Sequence, residues 1–178
     1  MIFVAAALYA VVRMTNDWLF QSLEISAQIN WIYLPAFLRV FYVLLLGRVN
    51  GFLAIFFGGL MLGDATFSSQ INWLANNVSA ALSPVLAFLI FEFWLRRPVN
   101  LSSLRELVQV SLIYCLFNTV LHHLMWAVLD ASQFHQPLQV LGMMMGDFLG
   151  CLIGVGLLKV AIDRFGLPKD RFGSSSQD

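Results

Sequence analysis

Charge is what this chain has least of. Only 11% of its 178 residues are Asp, Glu, Lys or Arg, against roughly 25% in a soluble domain, while 60% are hydrophobic. One small core cannot hide that much apolar surface, so a soluble fold is excluded and an integral membrane protein is expected. Formal net charge is zero and no basic block or tail stands out, which removes the phosphate-neutralising surface that nucleic-acid binding needs. Cysteine is almost absent. Cys115 and Cys151 fall inside apolar segments, match no metal-ligand spacing and read as small buried hydrophobes. The opening "MIFVAAALYAVV" has neither the positive leader nor the small-residue cleavage site of a signal peptide, so it is expected to stay in the mature fold.

Catalytic apparatus is missing as well. There is no nucleophile with a base and an orienting group, no phosphate-cradling glycine loop and no repeated carboxylate motif. His122 and His123 are adjacent, so on a helix their side chains diverge by about 100° and cannot hold one metal from the same face. His135 stands beside Gln136 and Pro137 in a loop, which makes a bis-histidine haem site hard to assemble. The Asn-x-Ser matches at Asn77 and Asn100 fall inside a span and on the basic side, unsuited to glycosylation. A non-enzyme is expected, with no metal site, and nothing here names a cofactor.

What is present is hydrophobic length. Hydropathy and turn signals predict an all-α bundle of six transmembrane spans at about residues 1–20, 31–46, 51–63, 72–95, 105–129 and 138–162, most near the ~20 residues a bilayer requires. The third is short, so five spans is the fallback. "GRVNG" at 47–51 reads as a tight turn joining spans two and three. Residues 1–162 form one membrane domain, and 163–178 a short, partly disordered cytoplasmic tail.

With six spans, Arg48, Arg96, Arg97, Arg105, Lys159, Arg164, Lys169 and Arg171 collect on one side. The loops at 65–71 and 130–137 contain no Lys or Arg, and only Arg13 lies near the loop at 21–30. Short cytoplasmic loops are the basic ones, which places both termini in the cytoplasm of a multi-pass protein of the cell membrane, the inner membrane in a bacterium.

Within this lipid-soluble background a few polar residues stand at membrane depth. A rise of 1.5 Å per residue puts Arg39 about 12 Å, Asp147 about 13 Å, and His122 and His123 about 10 Å below the outer ends of their spans. Asn76 and Asn77 lie somewhat shallower, and Asp64 closes the third span at the same face. A mid-bilayer charge costs about 2.5–3.5 kcal/mol on insertion scales and therefore turns inward and pairs. Arg39 is expected to pair with Asp147 or with Asp64, one histidine joining that network and the other facing a neighbouring helix. The pair can serve a ligand or only lock the helices together. In the last span Gly142, Gly146, Gly150 and Gly154 stand four apart on one ridge, a spacing that lets backbones approach closely, within the chain or against a protein partner or second copy. Pro84 is expected to bend the fourth span and Pro35 to open the second. Glu92 and Arg96 suggest an i, i+4 ion pair. Trp18, Trp31, Trp73 and Trp94 read as interfacial anchors.

The order of these motifs resembles the MASE1 membrane sensor module of bacterial signalling proteins. The elements that carry the resemblance are Tyr33 to Pro35 opening a helix, the Leu-Leu-Gly-Arg turn at 45–48, the glycine hairpin of Gly58 to Gly63, and Gly-Asp-x-x-Gly at Gly146 to Gly150. It covers roughly residues 28–160 and implies a sensory, signal-transducing role. Because such modules normally feed a cytoplasmic cyclase or kinase, a separate signalling partner is implied here. Six spans with both termini inside are also similar to the substrate-binding S-components of energy-coupling-factor vitamin transporters, which implies a small-molecule ligand taken from the outer face. An accessory subunit of a larger membrane complex, packing through the glycine ridge, is the third reading. A solvent-accessible cavity at the charged residues would favour sensing or transport, and a dry, fully packed pair would favour the subunit.

Overall fold

In the computed structural model, which describes residues 1–26, 29–63, 70–100, 103–129 and 137–165, six helices follow one another along the chain. They are α1 (Ile2–Leu19), α2 (Pro35–Leu46), α3 (Arg48–Leu60), α4 (Gln70–Leu95), α5 (Leu104–Leu129) and α6 (Pro137–Phe165). Between α1 and α2, strands β1 (Glu24–Ser26) and β2 (Ile29–Asn30) pair antiparallel as a two-stranded ribbon. Four helices, α1, α4, α5 and α6, are long and apolar enough to cross a membrane. α2 and α3 have 12 and 13 residues.

The expected spans and the helices agree within a few residues except around the hairpin. Helix α2 starts only at Pro35, whose missing N–H suits a first turn. The turn is Gly47 alone, at φ +81°, a backbone conformation glycine adopts freely. Arg48 to Gly51 are already the first turn of α3 rather than part of the loop. Gly51 is needed there because a Cβ would run into the backbone of Tyr42 and Val43. α4 continues through Pro84. α6 runs on to Phe165, so the first residues of the expected tail are helical, and residues 166–178 lie outside the described residues.

The two short helices occupy the middle. α2 packs against α1, α3, α4 and α6, and α3 against α1, α2 and α4. On α2, Pro35, Ala36, Arg39, Val40 and Val43 recur at three- and four-residue steps and are buried, as an inward helix face requires. The core around them includes Ile55, Phe88, Phe91 and Val110, while Phe3, Val4, Trp18, Phe93, Trp94 and Val128 stand exposed. That reversal is normal where the surroundings are lipid, which solvates apolar side chains.

The glycine ridge is filled from within. A Cβ at Gly142 would collide with Ile25, at Gly146 with the Asn30 carbonyl, at Gly150 with the Tyr33 carbonyl, and at Gly154 with the Phe37 ring. Tyr33 N–H donates to the Gly146 carbonyl at 3.0 Å. Ile25, Asn30, Tyr33 and Phe37 thus lie along α6, covering the ridge from within the chain at these four positions. Asn16, fully buried on α1, accepts the Leu34 N–H at 2.8 Å, satisfying a donor that the start of α2 would otherwise orphan.

At the other end of the bundle Glu92 is paired by Arg48 of α3, not by Arg96 four residues on. Arg96 ends α4 at φ +54°. Arg97 grips Glu106 with both Nη atoms, at 3.2 and 2.5 Å.

Candidate functional site

α1 and α5 share a sequence feature: polar and aromatic residues at four-residue steps inside apolar helices. On α1 these are Tyr9, Arg13 and Asp17; on α5 they are Tyr114, Asn118, His122 and Trp126. Four-residue steps place side chains nearly above one another, so each helix presents a polar row. The two rows, with α2, α4, α6 and the ribbon, enclose a cavity of about 390 Å³. Its lining includes Arg13, Asp17, Glu24, Asn30, Arg39 and Asp147, together with Tyr33, Asn76, Asn77, Asn118, His122 and Trp126.

Arg39 lines this cavity and is 5% exposed. Its Nε donates to the Tyr9 hydroxyl at 2.7 Å, Nη1 to the Tyr114 hydroxyl and to Asn118 Oδ1 at 3.2 Å each, and Nη2 to the Tyr33 hydroxyl at 3.1 Å. The guanidinium also lies 5.1 Å from the Tyr33 ring centre, within cation–π reach. Asp147 does not meet Arg39 directly. Asn118 stands between them, accepting from Arg39 through Oδ1 and donating through Nδ2 to Asp147 Oδ2 at 2.6 Å. The expected ion pair is therefore an amide-bridged relay. The reason is steric: Tyr9 on α1, Tyr33 just ahead of α2, and Tyr114 and Asn118 on α5 already surround the guanidinium. Asp64 lies outside the described residues.

The remaining sequence candidates divide. Asn76 and Asn77 both border the cavity. Asn77 donates to the Trp73 carbonyl at 2.9 Å and fills the space that a Cβ on Gly59 would need. His122 borders it too, its Nδ1 2.8 Å from the Asn118 carbonyl. Since a carbonyl only accepts, Nδ1 carries the proton, and in the neutral ring Nε2 is the acceptor. His123 is not part of the lining; its ring meets Trp126 edge-on with centroids 5.1 Å apart. The two histidines diverge as adjacency on a helix demands, but the contact of His122 is to the Asn118 backbone rather than to Arg39 or Asp147. Among the described residues no cluster of His, Cys, Asp or Glu could hold a metal.

Among the described residues, three polar atoms on the cavity residues are buried without a hydrogen-bond partner: Asn30 Oδ1, Asn76 Oδ1 and Trp126 Nε1. Orphans of this kind are rare in a packed interior and call for an explanation.

Sequence reasoning did not single out Tyr9, Arg13, Asp17, Tyr114, Asn118 or Trp126 as site residues. The four-residue polar rows were the available signal. Glu24 and Asn30 carry no such signal, because only the ribbon's folding against α6 brings them to the cavity. Comparison with protein-family models, curated proteins and solved structures returns no match.

Proposed function

We propose that this chain is a non-catalytic membrane receptor that takes a small polar solute into the outer half of the bilayer and reports its binding to a separate protein. The observation that carries this reading is the polar cavity of about 390 Å³ at the level of Arg39 and Asp147, within the size range of small-ligand sites. A pair serving only to lock helices would be dry and directly joined. The bridge through Asn118 instead leaves both charged groups on the cavity wall.

The same reading accounts for the short helices. α2 and α3 are about 18 and 20 Å long, less than the ~30 Å of hydrocarbon. The ribbon meets α6 at Gly142 and Gly146, about 8–14 Å below the start of that helix. Non-helical backbone at such a depth is tolerated where it is buried in protein or lines a water-filled cavity. We therefore place the ribbon at the wall of an outer vestibule and α2 and α3 as the hairpin from its floor to the basic face. This gives six passes with both termini cytoplasmic, in the inner membrane if the host is a bacterium. A MASE1-like sensor and an S-component-like transport subunit both fit this site. The accessory-subunit reading is favoured less, because Ile25, Asn30, Tyr33 and Phe37 cover the glycine ridge.

Native mass spectrometry of the full chain purified in mild detergent tests the proposal. A small molecule held by the wild type and lost from a folded Arg39→Gln variant is expected. Stoichiometric protein subunits with no small molecule would overturn it.

A further inference from the structure

The cavity wall is bipolar, and this bears on what it binds. Some of its groups are donors. Arg39 spends one Nη2 hydrogen on Tyr33, and the second has no acceptor among the described residues. The Tyr33 hydroxyl accepts from Arg39, so its own proton is left to donate. Trp126 Nε1, 4% exposed at the residue level, has no hydrogen-bond partner among the described residues. Others are acceptors. Asp147 uses Oδ2 for Asn118 and keeps Oδ1, and Asn30 Oδ1 and Asn76 Oδ1, on residues 5% and 7% exposed, are unpartnered among the described residues. The cation and the acid are one amide apart, joined through Asn118.

Building on the receptor reading above, we propose that the ligand is a small zwitterion of amino-acid type, its carboxylate held by Arg39 and the Tyr33 hydroxyl and its ammonium by Asp147 with Asn76 Oδ1. The one-amide separation of guanidinium and carboxylate matches the short distance between the ammonium and carboxylate of an α-amino acid. A net anion would meet Asp147, and a net cation would meet Arg39, in a poorly screened site where like charges repel strongly. A zwitterion satisfies both groups and adds no net charge at membrane depth.

The test uses the full chain in detergent. Small molecules released by denaturing the purified protein are identified, and thermal shifts are recorded with the twenty standard amino acids and glycine betaine. For the best binder, affinities are measured for the amino acid and its desamino analogue on wild type and on Asp147→Asn. Removing the ammonium and replacing Asp147 are each expected to weaken binding about tenfold to a hundredfold, the worth of one charge-assisted hydrogen bond, and the two losses together should not add. A released molecule of single charge, or losses that add fully, would overturn the zwitterion while leaving the receptor reading in place. No released molecule and no thermal shift from any probe would overturn both.

Discussion

The two ends of the bundle handle charge in opposite ways. At the basic end Arg48 meets Glu92 and Arg97 meets Glu106 directly, with half the arginine side chains exposed, and the Glu106 carboxylate holds the Arg97 guanidinium above its usual range. At the cavity end Arg39 is buried and is held by phenols and one amide, with its nearest acid a residue removed. Direct pairing in solvent consumes both charges and gains little. Neutral hydrogen-bond partners in the interior fix a cation's position while leaving its charge available, the arrangement a binding site needs and a structural lock does not.

The sharpest way to break that contrast is Arg39→Leu. Alone it strands Asp147 and three tyrosine hydroxyls, and thermal unfolding in detergent should show a loss of about 3–5 kcal/mol. Adding Asp147→Leu should restore part of it; equal damage from single and double changes would mean that the two residues do not share a network. Next comes Gly150→Ala, whose methyl group meets the Tyr33 carbonyl and should cost about 3 kcal/mol. The matched control is Gly156→Ala, where nothing lies within 4 Å and unfolding should shift by no more than about 1 kcal/mol, toward stability. Asn16→Ala removes the cap on Leu34 N–H and should cost about 1–2 kcal/mol. Smallest is Arg48→Ala at the basic end, expected within about 1 kcal/mol and fading with added salt.

Helix existence was legible because lipid demands long apolar runs, and those runs are unbroken in α1, α4, α5 and α6. Helical rise alone set Arg39 and Asp147 at one level of their spans, and the structure brings both to the same cavity. Their mode of contact was not legible, since charge attraction predicts a direct pair and only the packing of α1 and α5 reveals that Tyr9, Tyr114 and Asn118 arrive first. The glycine ridge announced a close approach without naming the partner. Its partners are Ile25, Asn30, Tyr33 and the Phe37 ring, the first three in non-helical chain ahead of α2 whose sequence has no period to mark its position. Glu92 was matched to Arg96 by local spacing, yet the hairpin brings Arg48 to it from α3.

The central claim is that the cavity at Arg39 opens to the outer face, and thiol labelling from outside intact cells tests it most directly. In a Cys115→Ala, Cys151→Ala background, Ala80→Cys sits on the cavity wall and Ala87→Cys, fully buried on the same helix, does not. A membrane-impermeant thiol reagent should modify Ala80→Cys and spare Ala87→Cys. Folded protein in which Ala80→Cys stays silent, or reacts only when the reagent is given access to the cytoplasmic face, would contradict the account.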